Sequence, residues 1–383
     1  MYQKPHLVII LLFIIAFNSN VILGENPTVS YDHWQLKNIS FTKEVADSTK
    51  SATNIVIAVI DSGIDFTHYD LGENLMWKNP NEILNGVDDD SNGYVDDING
   101  WDFVDNDNDP SPLLENIDNN NNGIIDESAS HGTAIAGIIA GQGIDVQGIV
   151  PNIQLLNIKV FNSDGKTFNL DEAWQYIYKL SEKNKEIKII NFSGVYGNTD
   201  LKNVNQTINN LLYMTNVSIV ASSGNDYNKG IYDVSYPANH PDVISVGSIA
   251  EDFEISSFSQ RGQAIDFVAP GENIFSLAID NQINNNFDGT SFSAPFYSAA
   301  LAYIYSIYQH SFLTISEIKN ILINATTDLG ELGWDEIFGF GLLNMTKLIK
   351  NISLPTNNNL NYSIEVPFAS LLILVLLLRK KSF

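Results

Sequence analysis

Residues 55–61 read Ile-Val-Ile-Ala-Val-Ile-Asp, an unbroken, mostly β-branched apolar run closed by a carboxylate. β-Branched side chains are stiff and pack well on a pleated surface. A strand with one wet face alternates apolar and polar residues, whereas an unbroken run is buried on both faces. The segment therefore predicts a strand inside a mostly parallel sheet. Outward from it, residues 154–160, 187–192, 218–221, 243–246 and 265–268 repeat the pattern. Helix-like stretches lie between them at 131–140, 170–182, 202–214 and 291–308. In the second, Ala173, Ile177 and Leu180 share a face, with Asn169 or Asp171 as cap. This alternation predicts a three-layer α/β/α domain with a mostly parallel central sheet over residues 27–352. Neither a second domain nor a solenoid repeat is expected.

The chain of 383 residues has no cysteine, which excludes disulfide scaffolds, thiolate metal centres and cysteine nucleophiles. Its 20 Lys+Arg against 45 Asp+Glu leave a net charge of −25. Such a field repels phosphate backbones, so nucleic acid is not an expected partner. Charged residues are only 17% of the chain. The acid is therefore local, concentrated between Asp88 and Glu127, and local acid points to cations.

Both ends read as addresses. Residues 1–25 place Lys4 before the apolar stretch 7–17, the pattern of a secretory signal peptide or a retained anchor. Residues 353–365 read as a polar linker. Residues 366–383 form a short hydrophobic sorting or anchor tail ending in Arg379-Lys380-Lys381, which leaves the body facing outward, with membrane contact through the tail. The expected location is extracellular, at the cell surface. Few residues separate signal from body, so the body is expected to fold without an inhibitory prosegment. Of eight Asn-x-Ser/Thr sequons, the one at Asn191 falls in an apolar strand and is not expected to carry a glycan.

Three chemically suggestive residues stand at the ends of these elements. Asp61 closes the first strand in VIDSGID (59–65), His131 opens a helix in HGTAIAG (131–137), and Ser291 opens another in GTSFSAP (289–295). In open α/β sheets ligands bind beyond the carboxyl ends of strands. A serine hydroxyl is a weak nucleophile that needs a base titrating near neutrality, and histidine is that base. The base needs an acceptor to fix its tautomer, and a carboxylate supplies it. A helix start beside Ser291 brings backbone N–H groups towards a developing oxyanion.

The three motifs, in the order Asp, His, Ser, resemble the signatures of the subtilisin-like serine proteases, the subtilases. The likeness extends over residues 30–350, through YDHWQLKNI (31–39), IINFS (189–193), IVASSGND (219–226), SSFSQRGQAIDFVAPGENIFS (256–276) and GFGLLNMTKLI (339–349), and is nearest the thermitase-like branch. It implies a serine endopeptidase acting on peptide or protein substrates, in which Ser291 attacks, His131 is the base, Asp61 holds it and Asn225 donates to the oxyanion. Ser193, Gly194, Ala221, Ser222 and Gly224 are implied to line the substrate pocket. Departures from the family pattern are Ala134, Phe292 in place of a methionine, and the run after Phe192. The alternative, a catalytically silent binding module on the same fold, would show loss of one of the four catalytic residues, and all four are present.

Between Asp61 and His131 lies an acidic insert, about residues 80–127. Asp88, Asp90, Asn92, Gly93, Asp96 and Asp97 carry the alternating oxygen ligands and turn glycine of an EF-hand-type loop, although Asn99 stands where a bidentate glutamate is usual. Asp118 to Asp126 repeats the pattern with fewer charges. The family resemblance adds Asp105, Asp107 and Asp109 as a calcium loop and Asp70 as a further ligand. Hard oxygen donors without histidine favour a structural Ca2+.

Overall fold

The computed structural model describes residues 31–113, 127–196, 201–309 and 312–353. The expected signal peptide and hydrophobic tail, nearly all of the linker, and the acidic run at 118–126 lie outside these residues. Among the described residues no helix is long and apolar enough to cross a membrane.

The strands are β1 Val56–Asp61, β2 Gly100–Asp102, β3 Gln154–Lys159, β4 Ile187–Phe192, β5 Ser218–Ser222, β6 Ile244–Ile249, β7 Phe267–Pro270, β8 Ile274–Ala278, β9 Gln282–Phe287, β10 Thr326–Thr327 and β11 Leu342–Leu343. Nine of them form one sheet in the order β10-β11-β7-β6-β5-β4-β1-β3-β2, while β8 and β9 form a separate antiparallel hairpin. From β7 through β2 every neighbouring pair is parallel. The helices are α1 Trp34–Asn38, α2 Lys43–Thr49, α3 His131–Ala140, α4 Leu170–Lys183, α5 Lys202–Asn210, α6 Ala294–Ile307, α7 Ile315–Asn324 and α8 Met345–Ser353.

Strand β1 explains the three layers. All six of its residues are buried. Ile57 and Val59 join a core with α3 and α6, through Ile135, Ile139, Leu301 and Ile304. Val56, Ala58 and Ile60 join a second core with α4 and α5, through Trp174, Ile177, Val204 and Ile208. The period-two geometry of a strand sends alternate side chains to opposite faces. An unbroken apolar sequence is what two covered faces require.

Three expectations are corrected. Ser291 does not open the α-helix: it sits in a 3-10 turn, Thr290–Phe292, and α6 begins at Ala294. Pro295 is the reason. Proline has no N–H and is tolerated only in a first turn, so it cannot donate to the Ser291 carbonyl four residues back. That freed carbonyl accepts from Ser193 Oγ at 2.7 Å instead. Helix α5 ends at Asn210 and continues as a wide π turn to Thr215. Asn169 does flank α4, but with φ 43° and no side-chain cap; its Nδ2 donates to the Phe103 carbonyl at 3.0 Å.

Candidate active site

Strand β1 is flanked by β3 and β4, which the chain reaches on opposite sides. A crevice opens beyond such a reversal, at the carboxyl end of the strand. Asp61 ends β1 at that point and is 1% exposed. Its Oδ1 accepts from the Ser62 N–H at 2.8 Å and pairs with His131 Nδ1 at 2.7 Å. His131 is the first residue of α3. The two motifs are stitched together by further bonds: Gly132 N–H to Ser62 Oγ at 3.1 Å, and Asp65 N–H to Thr133 Oγ1 at 3.0 Å. Gly132 is required for this approach, because a Cβ there would lie 2.3 Å from the Gly63 carbonyl oxygen.

Burial tends to lower the His131 pKa, but the charge of Asp61 and its hydrogen bond prevail and raise it above the ordinary 6.5. The imidazole side chain keeps 23% of its surface open. Its ring lies 5.1 Å from that of Phe292, between ring centroids, which places the serine turn beside it. Among the hydrogen bonds of the described residues, Ser291 Oγ donates to the Ser193 carbonyl at 3.1 Å rather than to His131. A buried chain stands behind the serine: Ser298 Oγ donates to Asn191 Oδ1 at 2.8 Å, Asn191 Nδ2 to Ser193 Oγ at 3.0 Å, and Ser193 Oγ to the Ser291 carbonyl.

Asn225 follows β5 and is exposed to solvent. Its Oδ1 accepts from both the N–H and Oγ1 of Thr290, at 2.9 and 2.8 Å. The side-chain Nδ2 is left to donate elsewhere, and Thr290 immediately precedes the serine. Ser193 and Gly194 line, with His131, Phe161, Thr167 and Val195, a cavity of ≈ 250 Å³. Ala221 and Ser222 are buried in β5, with Ser222 Oγ 3.5 Å from the Gly194 carbonyl. Gly224 N–H donates to Thr290 Oγ1 at 3.2 Å.

The acidic residues divide into two groups. Asp90 and Asp97 converge with Glu82, all three buried, with one carboxylate oxygen from each within 4.8 Å of the others. Glu82 Oε2 and Asp90 Oδ1 are buried and accept no hydrogen bond; Lys183 Nζ stands 3.5 Å from Asp90 Oδ1. Asn79 Nδ2 donates to both Asp90 and Asp97 at 3.1 Å, and Asn92 Nδ2 to Asp97 at 2.8 Å. Burial raises the pKa of both Glu82 and Asp97. From α4, Lys179 Nζ holds the Asn92 carbonyl at 2.6 Å, and Lys183 Nζ holds that of Asp90.

The other acids serve local backbone. Asp88 accepts from the N–H groups of Asn92 and Gly93, and Asp96 from those of Asn85 and Gly86. Asp107 accepts from Asp109 N–H, Asp109 from Ser111 N–H, and Asp105 is exposed. Asp70 is buried apart from the insert, its two oxygens accepting three N–H groups, from Ile144, Asp145 and Val146. Sequence reasoning missed Glu82 and Thr290. Thr290 precedes the serine directly. Glu82 lies six residues before the ligand-like spacing and carried no pattern of its own.

A family model described as the subtilase family matches residues 52–341. The major intracellular serine protease of Bacillus subtilis (strain 168) is 31% identical over 286 residues, covering 72% of this chain and 77% of the relative. Subtilisin DY of Bacillus licheniformis is 31% identical over 219 residues, 56% of this chain and 76% of the relative. Subtilisin E of Bacillus subtilis (strain 168) is 27% identical over 304 residues, 77% and 65% respectively. With this sheet and these matches, the chain belongs to the subtilase family and is a serine-type endopeptidase.

Proposed function

We propose that Asp61, His131, Ser291 and Asn225 carry out peptide-bond hydrolysis in this chain. The Ser291 hydroxyl attacks the scissile carbonyl carbon as His131 Nε2 takes its proton. Asp61, buried against Nδ1, fixes the tautomer and stabilises the imidazolium that forms. Asn225 Nδ2 donates to the oxyanion of the tetrahedral intermediate. The imidazolium then protonates the leaving amine as the C–N bond breaks, and water repeats the sequence on the acyl-enzyme to release the acid.

The observation that carries this reading is the 2.7 Å bond from Asp61 to His131, made by a buried carboxylate on the rim where Ser291 sits. Rotation about the serine Cα–Cβ bond moves between staggered wells and takes Oγ from the Ser193 carbonyl towards Nε2. Such bonds commonly tighten only when substrate binds. Ser291→Ala is expected to lower kcat by more than ~10⁴-fold and to abolish labelling by an active-site phosphonate. Undiminished peptide hydrolysis by that variant defeats the reading.

The body is also a calcium-binding one in this proposal. Glu82, Asp90 and Asp97 fit a hard cation: the donors are all oxygen, they are buried together, and two oxygens have no hydrogen-bond donor. A bound Ca2+ would supply there the positive charge that three buried carboxylates need beyond the one Lys183 brings to Asp90. Export and attachment at the cell surface complete the proposal. They are supported by the apolar, basic-flanked segments at residues 1–25 and 366–383.

A further inference from the structure

Gln260 lies between β6 and β7, is 1% exposed, and grips the segment carrying Asn225 on both sides. Its backbone N–H donates to the Gly224 carbonyl at 3.0 Å. Its Oε1 accepts from the Asp226 N–H at 3.3 Å. Asn225 stands between those two anchors. The other end of the amide, Nε2, donates to Ser235 Oγ at 3.0 Å and to the Asp233 carbonyl. Ser235 N–H in turn donates to the Ser223 carbonyl at 2.9 Å.

One buried amide thus ties Asp226 to Asp233 and Ser235, and backbone bonds add Gly224 and Ser223 to the same junction. The fit is close: Gly224 has φ +114°, and a Cβ there would lie 2.1 Å from Gln260 Oε1. The outer part of the same loop has its own attachments. The Arg261 guanidinium lies 3.8 Å over the Tyr227 ring, Arg261 N–H donates to the Tyr232 carbonyl, and Tyr227 N–H donates to the Phe258 carbonyl. Losing the Gln260 side chain therefore frees the Asp226 N–H on one flank of Asn225 and the packing against Gly224, while the backbone bond to the Gly224 carbonyl and the outer loop stay in place.

An oxyanion donor works by being aimed before charge develops, and a misplacement of about 1 Å can cost ~10²-fold in rate. We propose that Gln260 is a positioning residue for peptide hydrolysis: by holding Gly224 and Asp226 it sets where the Asn225 amide points. This rests on the reading of Asn225 as the oxyanion donor.

The test is a double-mutant cycle on the full chain with calcium, using a chromogenic peptide anilide. Gln260→Met is expected to lower kcat about tenfold or more, with KM nearly unchanged. The same substitution added to Asn225→Ala is expected to lower kcat no further. Gln260→Glu, which keeps an acceptor for the Asp226 N–H, is expected to restore part of the loss. If Gln260→Met does not fold, Gln260→Glu carries the comparison: a kcat loss with Asn225 intact and none in the Asn225→Ala background supports the proposal. Equal losses in both backgrounds, or no loss in either, overturn it. Full kcat in Asn225→Ala alone overturns the oxyanion reading itself, a result distinct from additivity, which overturns only the role of Gln260.

Discussion

His131 is a residue whose neighbours compete over one proton. Burial favours the neutral ring, while Asp61 favours the charged one and prevails. A general base must be neutral to act. The acid limb of kcat/KM is therefore expected above pH 6.5, the ordinary histidine value. Asp61→Asn removes the raising influence and leaves burial, so its limb moves to lower pH while kcat falls ~10⁴-fold. A limb that stays in place between the two pH–rate profiles contradicts this account. Stability runs the other way. A folded pKa above the unfolded one stabilises the fold below pH 6.5, and that contribution is lost as pH rises through the folded value. Phe292 yields a second prediction at this scale. Its ring packs between His131 and Phe287, at 5.1 and 5.0 Å, where a thioether would be open to oxidation beside the nucleophile. The enzyme is expected to keep its activity through peroxide treatment and Phe292→Met to lose it. Equal sensitivity of the two would show that this position does not control oxidative inactivation.

At the scale of elements, the acidic insert is pinned to the second core by aromatic rings: Tyr94 meets Trp101, Phe103 and, from α4, Tyr176 at centroid distances of 5.0, 5.6 and 4.8 Å. A ligand that binds only the folded state stabilises it, by about 2.7 kcal/mol at 100 times Kd. Chelation is expected to lower Tm and activity together, since Pro110 in the insert abuts the Gly63 turn that follows Asp61. Glu82→Gln should remove most of the calcium-dependent rise in Tm, whereas Asp105→Asn should leave it. A Tm indifferent to both chelator and Glu82→Gln refutes the calcium proposal. The elements differ in how far they could be read beforehand. Strands such as β1 and β4 announce themselves because burial on two faces demands an uninterrupted apolar sequence. The hairpin strand β9, Gln-Ile-Asn-Asn-Asn-Phe, is largely exposed and polar, so no periodicity marks it. Spacing marks Asp88 and Asp96 as ligand-like, and both accept N–H groups of their own loop, a task that short acidic side chains perform with or without a cation. Which oxygens remain free depends on contacts with α4, far away in sequence. Ser291 was legible as a chemical type, but its 3-10 turn follows from Pro295, a backbone constraint four residues on.

For the whole molecule, one sheet separates two cores, and the proposed catalytic residues gather at the rim where strand β1 ends in Asp61. The chain as a whole carries a net charge of −25, so the proposed membrane attachment is assigned to the apolar, basic-ended segment 366–383 and not to the acidic body. In fractionated cells the full chain is expected to pellet with membranes and be released by detergent. A variant stopped after Ser353 should appear in the medium, still active. Recovery of the full chain from the soluble cytoplasm would refute surface attachment.

The Asn191-Phe192-Ser193 sequon has a consequence for how this enzyme can be produced. Asn191 is 0% exposed, and its Nδ2 is committed to Ser193 Oγ. An oligosaccharide on that nitrogen cannot coexist with the closed β4–α6 contact. A host that decorates nascent polypeptides competes directly with folding at this site. Each chain modified there is diverted from the mature enzyme, so the yield of active protein depends on which event comes first.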